Sequence, residues 1–114
     1  MPRYMILARF TDQTAMSFAA LVSEQPPGKP AAKLLQALQD LAKEGELNGK
    51  LEQLFFTAGE PDMVLVLTMP EQKQAVAYAF AVTRKLGVRT TTLPAFDPSE
   101  MEDVFHLAPK VGGP

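Results

Sequence analysis

The sequence contains no cysteine and only one histidine, His106. Without cysteine the chain has no disulfide bond, thiolate nucleophile or zinc-thiolate centre, and a single histidine excludes a site built from several histidines. The sequence also lacks a glycine-rich phosphate loop, a nucleophile elbow and any paired spacing of metal ligands. We therefore expect no cofactor and no metal, and several classes of enzyme are excluded.

Long runs of charged or apolar residues are missing as well. The 114 residues carry 11 basic and 13 acidic side chains, a formal charge of −2, and no basic run that would follow a phosphate backbone. The longest apolar stretches, 63–67 and 75–82, are far shorter than the roughly 20 residues that cross a bilayer. We expect neither a nucleic-acid partner nor a membrane span. Residues 1–10 lack a secretion signal, which favours a cytoplasmic location.

What is present is the periodicity of one small α/β domain over residues 1–105, followed by a flexible tail over 106–114. Prolines and a glycine interrupt regular structure over 25–30. Strands are predicted over 4–10, 50–57, 63–68 and 88–93, long helices over 31–42 and 71–86, and short helices after Asp12 and Asp97.

This order is that of a ferredoxin-like α+β sandwich, β-α-β-β-α-β, with two helices on one face of a four-stranded antiparallel sheet. The threonine-rich last strand suits an edge, and the apolar first strand suits the centre. The first and third strands carry large apolar residues on both faces, so the face without helices would expose several of them. We therefore predict a homodimer or higher homo-oligomer formed through the open sheet face.

The stretch from Phe56 to Asp62, followed by 64–67, resembles the hairpin that gives the GYD-domain family its name. Residues 88–96 and 10–13 are similar to the ends of that family's last and first strands. The resemblance implies a ferredoxin-like fold of the dimeric α/β-barrel type and little about activity, because the wider group includes cofactor-independent monooxygenases, isomerases and small-molecule sensors. The sequence departs from the pattern at Pro61, where the family has a tyrosine, and in the proline-rich segment.

Two groups of residues are candidate sites. Gly59, Glu60 and Asp62 place two carboxylates beside a turn, as in a hard-cation or acid/base site, although such residues are also common in turns that have no other role. Arg9 and Arg89 are positioned to face a barrel lumen and bind an anionic ligand; pairing with Glu52 or extension to the sheet edge is the alternative.

Two further polar residues complete the candidates. Gln53 is a possible anchor beside the arginines, and Asp12 either orients a ligand at a strand end or caps the following helix. His106 fits a solvated tail better than a catalytic role.

The leading hypothesis is an oligomeric domain that binds a small apolar or anionic molecule or serves in assembly, with no catalytic set. The alternative is a cofactor-independent monooxygenase- or isomerase-like enzyme acting on a small apolar or aromatic substrate, with Arg9, Gln53 and Arg89 as anchors. A third possibility is a structural partner of another protein that docks through the helix over 31–42 or the region of Phe18.

Overall fold

Four strands form one antiparallel sheet in the computed structural model, which describes residues 1–22 and 29–110. Helices pack on one side of the sheet, and an additional helix follows the last strand. The elements in chain order are β1 (Arg3–Arg9), α1 (Asp12–Val22), α2 (Pro30–Ala42), β2 (Lys50–Phe56), β3 (Met63–Thr68), α3 (Gln72–Leu86), β4 (Arg89–Ala95), α4 (Pro98–Leu107) and a short 3-10 helix (Ala108–Lys110).

The strand order across the sheet is β2-β3-β1-β4, and every neighbouring pair is antiparallel. This arrangement confirms the predicted ferredoxin-like α+β fold. As predicted, β1 is central and β4 is an edge strand. Pro94 lies within β4, where a residue without a backbone N–H is tolerated because one side of an edge strand has no partner.

Alternation along the strands decides which side chains reach the helices. Burial alternates residue by residue in β1 and β3. The residues that face the helices form the core with the apolar stripes of α2 and α3. The core members from the sheet are Tyr4, Ile6, Ala8, Leu51, Met63, Leu65 and Leu67, and those from the helices include Leu34, Leu38, Leu41, Ala75, Tyr78, Ala79, Val82 and Leu86.

The apolar stripe of α2 is therefore already used within the chain. Leu34, Leu38 and Leu41 are buried against the sheet. Phe18 of α1 packs on the same core and makes an edge-to-face contact with Phe10, with ring centroids 5.0 Å apart. The apolar stripe of α2 and part of the Phe18 side chain are therefore covered within the chain.

Thr11, and not Asp12, caps α1. The backbone N–H of Thr11 donates to the Thr14 hydroxyl at 2.9 Å, and the N–H of Thr14 donates back to the Thr11 hydroxyl at 3.3 Å. Asp12 is the first residue of the helix and is exposed. The Thr11 hydroxyl also donates to the carbonyl of Gly87 at the end of α3, so the start of α1 is fixed by a contact 76 residues away.

Gly87 permits this contact for two reasons. Its φ of +71° lies in the left-handed region, and a Cβ there would come within 2.8 Å of the Gln13 side chain. The end of α3 and the start of α1 can therefore approach closely only with glycine at this position.

Two predicted segments lie partly outside the described residues. Most of the proline-rich segment over 25–30 falls in the gap between 22 and 29, and residues 111–114 follow the last described residue. Within the predicted tail, α4 continues to Leu107 and the 3-10 helix to Lys110. No helix among the described residues has both the length and the apolar character needed to span a bilayer.

Replacement of Tyr78 tests the buried polar contact of the core. Its ring is fully buried and its hydroxyl donates to the Leu38 carbonyl at 2.8 Å. Burial raises the pKa of Tyr78 above the ordinary value of 10.0, because the tyrosinate would lose its hydration. Above about pH 10 the unfolded chain loses this proton while the folded chain keeps it, so the free energy of unfolding falls, by about 1.4 kcal/mol per pH unit.

We expect Tyr78→Phe to remove this alkaline slope and to cost about 1 kcal/mol at neutral pH, since the Leu38 carbonyl loses its donor. Urea unfolding between pH 7 and 11 measures both effects. Val82→Ala is the control, because it opens a cavity in the core without removing a titrating group, and its stability should stay below that of the wild type by the same amount at every pH. An equal alkaline slope in wild type and Tyr78→Phe contradicts the assignment.

Candidate functional site

The face of the sheet that carries no helices is the candidate site, and we call it the open face. Its residues follow from strand alternation and register. They alternate with the buried positions of β1 and β3, and their register partners on β2 and β4 share the same face. They are Arg3, Met5, Leu7 and Arg9 on β1, Val64, Val66 and Thr68 on β3, Lys50, Gln53 and Phe55 on β2, and Arg89, Thr91, Leu93 and Ala95 on β4.

Two rows of mostly apolar side chains cross the middle of the open face, and we call them the apolar rows. In the first row, Leu93, Met5, Val66 and Gln53 are consecutive register partners across four strands. In the second row the partners are Thr91, Leu7, Val64 and Phe55. Phe55 is 49% exposed and Leu93 is 42% exposed, so the rows are open to solvent in the single chain.

One end of the open face, the Arg9 end, carries two arginines. Arg9 and Arg89 are direct register partners on β1 and β4. Like charges directly opposite one another are unfavourable, and Glu60 offsets part of the repulsion through an exposed ion pair with Arg9 at 3.5 Å. Arg89 forms no ion pair with any described residue. This end therefore places two guanidinium groups beside Leu7 and Val64, and the carboxylates of Glu60 and Asp62 lie at the same end.

The loop between β2 and β3 is held against the Arg9 end by Asp62. A carboxylate oxygen of Asp62 accepts from the backbone N–H of Phe10 at 2.8 Å, and the Asp62 N–H donates to the Ala8 carbonyl at 3.0 Å. Thr57 closes the loop, because its N–H donates to the Asp62 carbonyl at 2.9 Å and its hydroxyl to the Pro61 carbonyl. Asp62 thus joins the hairpin to the end of β1.

This hairpin lies within the region matched by a known family. The family model of the GYD domain matches residues 4–105, which is most of the chain. The chain belongs to the GYD-domain family. It has no significant match among curated proteins or solved structures.

In this GYD domain the motif residues have a visible structural role. Asp62 holds the hairpin to β1, and Glu60 pairs with Arg9. Gly59 has a φ of +133°, a backbone conformation that residues other than glycine rarely adopt. Within the described residues no group of three or more histidine, cysteine, aspartate or glutamate side chains is arranged to hold a metal ion. The contacts agree with the interpretation of these residues as turn residues.

The opposite end of the open face, the Arg3 end, contains a groove. Its volume is about 570 Å³, and it is lined by Arg3, Glu52, Gln53, Val66 and Thr68. Glu52 contacts Lys50 at 3.7 Å and accepts from the Thr68 hydroxyl at 3.1 Å. The suggested partner of Arg9, Glu52, is therefore engaged at the other end of the sheet.

Gln53 is also at the Arg3 end, away from the two arginines. It is the register partner of Val66, which pairs with Met5, and Met5 is four residues, or about 13 Å along the strand, from Arg9. A register shift between Leu51 and Gln53 sets this position. Asp12 lies on α1 beyond the sheet. The structure thus brings Arg9 and Arg89 together and leaves Gln53 and Asp12 apart from them.

Sequence analysis named Glu52 and Gln53 but missed Arg3 and Lys50 at this end of the open face. Arg3 lies one residue before the first strongly apolar position of β1, and Lys50 opens β2, so each resembled an ordinary strand terminus. The signal that could have identified Arg3 is strand alternation. Arg3, Met5, Leu7 and Arg9 are every second residue of β1 and therefore share a face.

The two carboxylates of the hairpin have different structural roles, which a pair of substitutions separates. We expect Asp62→Ala to cost about 1 kcal/mol, because the N–H of Phe10 loses a charged acceptor. Glu60→Ala should cost less, since exposed ion pairs contribute roughly 0–1 kcal/mol. Chemical denaturation at neutral pH measures both values.

Thermal unfolding with and without millimolar Ca²⁺ or Mg²⁺ adds the test for a cation site. We expect no shift in Tm for the wild type or for either variant. A Tm raised by a cation in the wild type and not in Asp62→Ala would favour a metal site over the turn interpretation.

Proposed function

We propose that this GYD domain is a homo-oligomeric binding domain, in which the open faces of two copies meet and enclose a small molecule at the Arg9 end. The observation that carries the proposal is the pair of apolar rows across the middle of the open face. A sheet face that meets water is expected to carry mostly polar side chains. Here the central strands carry Met5, Leu7, Val64 and Val66 on that face.

The energy available from covering the rows supports self-association. At about 25 cal/mol per Å² of apolar area, covering six large side chains contributes several kcal/mol per subunit before ordering costs are subtracted. Two sheets that pack face to face lie about 10 Å apart, so apolar side chains of both open faces fill the space where the sheets meet. A second copy brings a surface of matching apolar character.

The proposed ligand has an apolar body and one anionic group. Arg9 and Arg89 are directly opposite on adjacent strands, where Cα atoms lie about 5 Å apart, so both guanidinium groups can reach one carboxylate or sulfonate. Leu7 and Val64 lie beside them and offer apolar contact for the body of such a molecule. A small apolar or anionic molecule is the class that these groups would recognise.

The alternative function, a cofactor-independent monooxygenase- or isomerase-like enzyme, uses Arg9, Gln53 and Arg89 as anchors for an apolar or aromatic substrate. Within one subunit Gln53 lies about 13 Å along the sheet from the arginines. One small substrate cannot contact all three there. The arrangement therefore favours binding at the arginine pair over the three-anchor enzyme.

Val64→Lys tests self-association through the open face. We expect this substitution to place a charge in the middle of the interface and to convert the oligomer to monomer at micromolar concentration, as measured by light scattering after gel filtration. The matched control is Phe80→Lys, because Phe80 is 70% exposed on α3, away from the open face, and should leave the oligomer intact. A wild type that is monomeric well above micromolar concentration would overturn the proposal.

A matched pair of fluorescent probes tests the arginine pair. Anilinonaphthalene sulfonate and the uncharged phenylnaphthylamine share an aromatic body and differ in the sulfonate group. We expect the wild type to bind the sulfonate more tightly, and Arg89→Ala to weaken it about tenfold while the uncharged probe is unaffected. Arg84→Ala, at the end of α3, is the control and should change neither affinity. An equal loss of affinity for the sulfonate probe in Arg89→Ala and Arg84→Ala, or no loss in either variant, contradicts the proposed site.

A further inference from the structure

The C-terminal helix α4 presents an apolar stripe that the single chain does not cover. Met101, Val104, Phe105 and Ala108 recur at the spacing of one helix face. No residue of α4 is buried, and Phe105 is 59% exposed. Leu107, beside this stripe, is 60% exposed. We call this surface the α4 stripe.

α4 stands away from the rest of the molecule. Beyond the 3-10 helix that continues it, it makes no extended contact with any described helix or strand. The radius of gyration is 16.6 Å and the longest dimension is 63 Å, whereas a compact chain of 114 residues has a radius of gyration of about 13 Å. Helices shorter than about 12 residues are marginal in water without packing, so a ten-residue α4 needs a partner.

A capping box and a proline fix the start of α4. Asp97 accepts from the Glu100 N–H at 2.7 Å, the Glu100 carboxylate accepts from the Asp97 N–H at 3.0 Å, and Pro98 fixes the first turn. Only Phe96 and Asp97 separate α4 from β4. A second copy is therefore the natural source of a surface for the stripe.

Charge selects the Arg3 end of the second copy's open face. α4 carries Glu100, Glu102 and Asp103 and contains no lysine or arginine. The groove at the Arg3 end is lined by Arg3, which forms no ion pair with a described residue, and by Glu52, whose carboxylate pairs with Lys50. These three side chains leave one net positive charge, whereas the two arginines of the Arg9 end are matched by Glu60 and Asp62. Glu100 and Glu102, which flank the α4 stripe, complement this positive charge, and Val66 offers an apolar contact in a groove whose other lining residues are polar or charged.

We propose that α4 of one copy lies in the Arg3-end groove of a second copy, with Phe105 directed toward Val66, and that the exchange is reciprocal. This inference rests on the proposed self-association through the open face and adds the segment that completes it. The groove volume of about 570 Å³ is close to half of the roughly 1,200 Å³ occupied by a helix about 10 Å wide and 15 Å long. A half-embedded helix fits.

The area of the sheet alone also calls for an added contact. Four strands of six or seven residues give a footprint of about 19 by 20 Å, on the order of 400 Å² before side-chain relief is counted. A standard interface buries about 800 Å² on each partner. A reciprocal exchange of α4 adds two helix contacts to each subunit and moves the interface toward that size.

Because the chain contains no cysteine, only introduced cysteines can form a disulfide in a cross-linking test. Phe105→Cys and Gln53→Cys chains, each with a different tag, are co-expressed so that mixed dimers form during folding. Mild oxidation should then give a disulfide between the two kinds of chain. Disulfides need Cα atoms within about 7 Å, so the link reports direct placement of α4 in the groove. Asp103→Cys, on the outer side of α4, and Thr91→Cys, at the other end of the open face, are the controls and should link at least tenfold less.

Light scattering on the same samples separates the possible outcomes. Dimers that show the link between residues 105 and 53, and not the control links, support the exchange. Dimers without that link overturn the placement of α4 while the proposed self-association stands. Monomers in every sample overturn both. As a second measurement, Phe105→Glu should raise the dimer dissociation constant at least tenfold and Asp103→Ser should change it less than threefold.

Discussion

The alternation of side chains along β1 is the constraint on which the rest of the structure depends. β1 pairs with both β3 and β4, so its register places every residue of the sheet on one face or the other. Tyr4, Ile6 and Ala8 reach the helices, and Met5 and Leu7 therefore reach the opposite side. Because both sets are apolar, one helix layer cannot bury the sheet, and a single residue of slip would exchange the two sets without removing the problem.

The fold could be predicted because its signals are local. The stripe of α2, the short loop between β2 and β3 and the threonine-rich edge strand each depend on residues close together in sequence. The cap of α1 could not be predicted in the same way. Thr11 and Asp12 are adjacent and both residue types cap helices, and the choice is made by the carbonyl of Gly87, which only the folded chain brings to Thr11.

The candidate site shows the same limit. The positions of Arg9 and Arg89 on the open face follow from strand parity, which the sequence displays. The pairing of Arg9 with Glu60 does not, because it requires the hairpin loop to turn back to β1, where Asp62 holds it. Gln53 was expected beside the arginines. The register shift next to Leu51 instead determines its row in the sheet, and no residue type in β2 indicates that shift.

The open face and the α4 stripe are both left uncovered by the described part of the chain. The open face is too apolar to remain in water at no cost, and α4 is too short to hold its helix without packing. The helix presents an apolar stripe flanked by Glu100 and Glu102, and the Arg3 end presents Val66 among polar side chains with one net positive charge. Within one chain α4 makes no extended contact with the described strands of the sheet. In the proposed dimer a second copy covers both surfaces, and the Arg9 end stays available to the proposed ligand.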